Sequence, residues 1–148
     1  MTTSIRPIQA VASPKTTLRS VRAVAAGFFA MVIVTGIVDQ ILHRLGVFPP
    51  WGQISYAPVP YVLAVIYRTI FGIGGAYVAA RLAPRAPRRH ALYVGVIGVV
   101  LSFAGVVAAF TRDLGPVWYP ILLLAVTLPA ARIGGMLYVR FGKTENGR

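Results

Sequence analysis

The chain has 148 residues, 57% of them hydrophobic and only 12% charged, with a mean hydropathy of +0.72; a soluble domain carries roughly twice that charged fraction, so a water-soluble globule is excluded. Fifteen Lys+Arg against three Asp+Glu give a formal charge of +12, which on a soluble chain would point to nucleic acid. A membrane explains both the apolar excess and the basic flanks, and no nucleic-acid partner is expected. Cysteine is absent, which removes disulfides, thiolate-bound metals and thiol catalysis. The three acids, Asp39, Asp113 and Glu145, are too few for paired-carboxylate or multi-carboxylate metal chemistry.

Residues 1–20 are rich in Ser and Thr and carry Arg6, Lys15 and Arg19 with no acid. They read as a disordered basic tail before a retained helix; the Val38-Asp39-Gln40-Ile41-Leu42-His43 run that follows the first apolar stretch has no small-residue cleavage site. Residues 21–142 form the expected membrane domain. Four apolar stretches, about 21–42, 61–80, 91–110 and 117–139, each have the length of roughly 20 residues that a helix needs to cross a hydrocarbon core. Breakers separate them: Pro49, Pro50, Gly52, Pro58 and Pro60 in the first connection, Pro84 and Pro87 in the second, and Gly115-Pro116 in the third. Residues 143–148 form a short second tail. The expected fold is all-α, a polytopic membrane protein of four transmembrane helices packed as two hairpins.

Orientation follows from Lys and Arg, because basic residues in short flanks resist translocation. Eleven of the fifteen fall on one side: Arg6, Lys15, Arg19 and Arg22 in the first flank, Arg81, Arg85, Arg88 and Arg89 in the middle connection, and Arg140, Lys143 and Arg148 at the end. Only Arg44 and Arg112 fall on the other. Both termini are therefore expected in the cytoplasm, and Trp51, Tyr56, Tyr61, Trp118 and Tyr119 form an outer aromatic belt. The basic side is expected to meet anionic lipid headgroups.

Small residues mark packing faces. Ala64, Gly72, Gly75 and Ala79 recur at helical spacing in the second span, and Gly95, Gly98, Ser102 and Gly105 in the third; such stripes let neighbouring backbones approach. Ile73-Gly74-Gly75 and Ile133-Gly134-Gly135 lie 60 residues apart. Each sits near the basic end of a helix running the same way, which is the pattern of a parallel repeat; chance in a glycine-rich membrane sequence produces the same echo.

The candidate polar site is Asp39, Arg68, Arg132, His43 and Thr35. Thr35, Asp39 and His43 are four apart and share one face of the first helix. Arg68 lies seven residues inside Tyr61, about 10 Å deep, and its long stem can bring the guanidinium outward to Asp39. An unpaired charge at that depth costs on the order of 3 kcal/mol, so an Asp39–Arg68 pair is expected. It serves either as a buried ion pair fixing the register of the first two helices or as a proton- or ion-responsive centre. Arg132 follows Pro129, whose ring frees the carbonyl of Ala125; a kink and an anion-selective pocket are the functional reading, an ordinary membrane proline the structural one. Asp39 and His43 supply two metal ligands where zinc takes three or four, so no metal and no other cofactor is expected.

The run from Asp39 to Gly52, with Tyr67-Arg68 and the segment Gly74-Gly75-Ala76-Tyr77-Val78-Ala79-Ala80-Arg81-Leu82-Ala83-Pro84, resembles a set of small bacterial four-helix integral membrane proteins with no established function. The resemblance implies an inner-membrane setting and the four-helix architecture, and carries no activity or site residue. The functional expectation is a small permease- or channel-like homo-oligomer, since four short spans enclose little volume alone. The alternative is a non-transporting scaffold or accessory subunit that binds another membrane protein through its Gly/Ala faces. The spans hold no Ser/His, His/Glu or two-aspartate set, so no enzymatic role is expected.

Overall fold

The computed structural model describes residues 14–142 and is helical throughout its regular structure: α1, Pro14–Arg44; α2, Pro58–Leu82; α3, Pro87–Thr111; α4, Trp118–Leu137, which continues into a π-helical turn, Tyr138–Gly142. All four helices are long and apolar enough to cross a membrane, and the chain is a multi-pass membrane protein in plan. α1, α2 and α3 are longer than their expected spans, and α4 exceeds its own only with the π-helical turn counted. α1 starts at Pro14 rather than at Val21, so the disordered tail is corrected for residues 14–20; proline is pre-set for the first helical turn and lacks only an N–H that would be unpaired there. Residues 1–13 and 143–148, which hold the remainder of the two expected tails, lie outside the described residues. α2 and α3 likewise start on Pro58 and Pro87. α1 ends where Gly46 takes φ +70° and the N–H of Val47 returns to the carbonyl of Leu42 at 3.0 Å, a left-handed C-terminal stop.

The interior is the reverse of a soluble core. Among the described residues no large side chain is fully buried; the deepest are Ala76, Ala79, Ala80 and Ala91, each with no exposed area, while Phe29, Ile33, Ile37, Val100, Phe103 and Phe110 face outward. Lipid is as apolar as leucine, so helices gain little by hiding large side chains from it and associate instead where small residues permit close van der Waals contact. A Cβ on Gly27 would strike the backbone of Gly75 and the side chain of Ala79, joining α1 to α2; one on Gly134 would strike Ile73 and Ala76, joining α4 to α2. Gly95 and Gly98 of α3 face Ala131 and Thr127 of α4 at similarly short range. Of the expected packing residues, Gly75, Ala79, Gly95 and Gly98 make such contacts. Gly72 and Gly105 have only ordinary spacing, 3.9 and 3.8 Å from a built Cβ to its nearest neighbour, and Ser102 lines a cavity instead.

The 60-residue echo carries α2 onto α4 and is matched by one pair of contacts to the preceding helices. Pro58–Leu82 shifted by that offset falls on Trp118–Gly142. Gly75 packs on Met31 of α1, and Gly135 packs on Ala91 of α3, the position to which the same shift carries Met31. The two hairpins thus close through equivalent contacts. Their association is not symmetric: α4 packs on α2 and α3, α1 packs on α2 and only thinly on α3, and α1 does not reach α4. The thin α1/α3 side leaves room inside the bundle.

At the aromatic end the two connections lean on each other. Gly115, at φ +111°, lies where a Cβ would be 3.2 Å from the Ser55 carbonyl and would press on Tyr61, so the turn before α4 requires glycine on both counts. Tyr61 donates to the same Ser55 carbonyl at 2.8 Å, and Tyr56 donates to Asp113 across the two connections.

Candidate functional site

The room inside the bundle is a cavity of about 380 Å³ with walls from all four helices. Its inner part is apolar, with Phe28, Met31, Val94, Ala130 and Ala131; its outer part holds Thr35, Asp39, Arg68 and Ser102. Thr69 and Thr127 also line it, but their hydroxyls donate to the carbonyls of Val65 and Leu123 one turn back, each at 2.6 Å, and offer little to a solute.

Arg68 Nη2 donates to Asp39 Oδ2 at 2.6 Å, the one ion pair among the described residues. The other carboxylate oxygen, Oδ1, accepts from the hydroxyl of Tyr67. Tyr67 is set by an apolar cluster in which its ring packs with Phe48 and Ala64 and is flanked by Val38, Leu42 and Phe71. Both Asp39 oxygens therefore have donors, as a carboxylate taken from water requires. Arg68 is less complete: its Nε is buried without a hydrogen-bond partner among the described residues. The pair is not sealed, with side-chain exposures of 16% for Asp39 and 36% for Arg68.

Arg68 also borders two further spaces. One, of about 220 Å³, lies under the first connection between His43, Trp51, Gln53, Tyr61 and Tyr119. The other, of about 340 Å³, lies between α3 and the turn before α4, with Ser102, Gly105, Leu114 and Tyr119. Among the described residues Arg68 alone lines all three spaces. It stands where the membrane-depth cavity meets the pocket at the aromatic end.

The other candidate residues divide. Thr35 lines the cavity one turn inward of Asp39. His43 does not join the ion pair: its Nδ1 donates to the backbone carbonyl of Asp39 at 2.7 Å, and its ring stacks on Trp51 at 3.8 Å between centroids. Its role is to hold the first connection against α1. Arg132 is a correction. It lines none of the three spaces that Arg68 borders and is exposed on the outer surface of α4, because Ala130, Ala131, Gly134 and Gly135 occupy the inward face there. α4 runs through Pro129 as one helix. Among the described residues no three His, Asp or Glu side chains come together as a metal site.

Two residues of the site were missed in the sequence. Tyr67 is next to Arg68, and neighbours on a helix point about 100° apart, so spacing argues against a shared partner; the Asp39 carboxylate lies between the two directions and is reached by both. Tyr119 reads as one of the interfacial aromatics, yet its position beside Arg68 in two of the spaces comes from the close packing of α4 on α2. No family model, curated protein or solved structure matches the chain.

Proposed function

We propose that the chain is a bacterial inner-membrane protein with both termini in the cytoplasm, working as a homo-oligomer that lets a small solute cross, without enzymatic chemistry. The basic ends of the helices support the orientation. The observation that carries the reading of passage is the position of Arg68, shared by the outer pocket and the membrane-depth cavity and latched to Asp39. A cavity of this size is within the range of small-molecule sites. A charge in the membrane that also borders open space is the usual mark of a pathway. The pair acts as a gate: while Asp39 holds Arg68, the guanidinium fills the neck between the two spaces, and release of either partner widens it.

Proteoliposomes test this directly. Swelling is measured with glycerol, urea, amino acids and chloride salts, together with a pH-sensitive dye for protons. At least one solute or the proton is expected to move, and faster by several-fold in Asp39→Asn, which weakens the latch and keeps the volume. Correctly inserted protein that passes none of them removes the proposal.

A specific observation favours a second reading. Gly74 on α2 is exposed, and a Cβ built on it meets nothing within 4 Å. Exposed small residues on membrane helices are where another helix can seat closely, as in a scaffold or accessory subunit. Gly74→Leu would then abolish partner association and leave the monomer folded, whereas a passage protein would keep its flux.

A further inference from the structure

We propose that a groove at the basic end of α3 and α4 is a binding site for one anionic phospholipid, independent of the solute pathway. The groove, about 500 Å³, is lined by Arg88 and Arg140 together with Ile133, Met136, Leu137 and Phe141. Two guanidinium groups thus border an exposed strip of large apolar side chains running down α4 into the bilayer. A free phosphate matches only the arginines, and a zwitterionic lipid brings an ammonium that offsets its phosphate; an amphiphile with a net anionic head and an acyl chain matches both parts.

The site is built by backbone packing. Gly135 lets α3 come so close that a Cβ there would be 2.8 Å from the Ala91 Cβ and 3.5 Å from the Arg88 Cα, which fixes the base of Arg88 against α4. Arg140 is carried by the π-helical turn Tyr138–Gly142, a rare form that recurs at functional positions, and its guanidinium lies 5.5 Å from the Phe141 ring centroid. Of the two acids among the described residues, Asp39 is held by Arg68 and Asp113 lies in the connection at the opposite end.

Native mass spectrometry of the full chain, loaded with phosphatidylglycerol or phosphatidylcholine in detergent, is the test. Wild type is expected to retain one phosphatidylglycerol per chain and to lose phosphatidylcholine. Each basic contact is worth roughly a factor of five, so R88Q/R140Q should lower phosphatidylglycerol affinity about thirtyfold, while R88K/R140K keeps most of it. R81Q/R85Q, which removes two charges of the same end outside the groove, should stay near wild type. The proposal falls if R81Q/R85Q weakens retention as much as R88Q/R140Q, if phosphatidylcholine is held equally, or if glycerol phosphate binds as tightly as the lipid. A photoactivatable phosphatidylglycerol reads the unaltered chain: label within Ile133–Phe141 is expected, and label spread evenly over the helices overturns the site.

Discussion

In the first hairpin the outer halves of α1 and α2 are joined by Asp39, Tyr67 and Arg68; in the second, the positions 60 residues on are Val99, Thr127 and Leu128, and α3 meets α4 through Gly98 against Thr127 and Gly95 against Ala131. Toward the basic end the two hairpins agree, with Gly75 on Met31 and Gly135 on Ala91. The second hairpin shows that small residues and close backbones suffice to hold such a pair of helices in lipid. The charges of the first are thus an addition to a plan that closes without them. A buried ion pair seldom adds net stability over well-packed apolar residues. Here it stands beside a cavity left by the thin α1/α3 contact.

Removing one charge should separate the hairpins most sharply. Arg68→Ala leaves Asp39 ionised in the membrane and is expected to cost about 3 kcal/mol or more, read as unfolding in mixed detergent. Leu128→Ala, at the corresponding place in the second hairpin, loses only packing beside Gly95 and should cost about 1 kcal/mol. Asp39→Asn added to Arg68→Ala should recover much of the first loss; if it recovers none, Arg68 acts through packing and not through the pair.

The shared half of the plan is tested next. Gly75→Leu and Gly135→Leu should each force helix separation and cost about 2–3 kcal/mol, since the atoms in the way are backbone and Cβ that cannot rotate aside. Unequal costs would show that the hairpins are not equivalent even where they look so. A smaller effect belongs to the hydroxyls. Tyr67→Phe removes one donor from Asp39 and should cost about 1 kcal/mol. Thr127→Val removes a hydroxyl already turned to its own helix, and should change stability by no more than about 0.5 kcal/mol.

The sequence already carries much of this. Apolar runs of membrane length and proline-rich connections give the four helices, since each is a local property of composition. The Asp39–Arg68 contact is legible too, because a lone acid and a lone arginine at similar depth on consecutive helices have no cheaper partner. Arg132 misled for the same reason. Depth can be counted along a helix, but which face turns inward depends on what packs there, and Ala130, Ala131, Gly134 and Gly135 claim that face. The cavity was illegible, because it exists through a thin α1/α3 side, and nothing in either helix alone states how far apart the two lie.

The smallest effect concerns the one side-chain hydrogen bond that ties the outer connections of the two hairpins together, from Tyr56 to Asp113. The Tyr56 hydroxyl is raised above its usual range, chiefly because it donates to a carboxylate that would repel the phenolate, with desolvation adding to this. A group raised on folding stabilises fully below its unfolded pKa, about 10 for tyrosine, and that contribution disappears as pH climbs through the raised value. The tie should therefore hold through neutral pH and loosen only in strong alkali. The difference between ultraviolet tyrosinate titrations of wild type and Asp113→Asn should show one ionisation moving from above the ordinary range back toward it. If the two hairpins are braced at this end, Tyr56→Phe should quicken labelling of a cysteine placed at Leu114 while leaving one placed at Leu92 unchanged. Equal labelling at Leu114 in both proteins would mean that Gly115 and Tyr61 hold the connections without it.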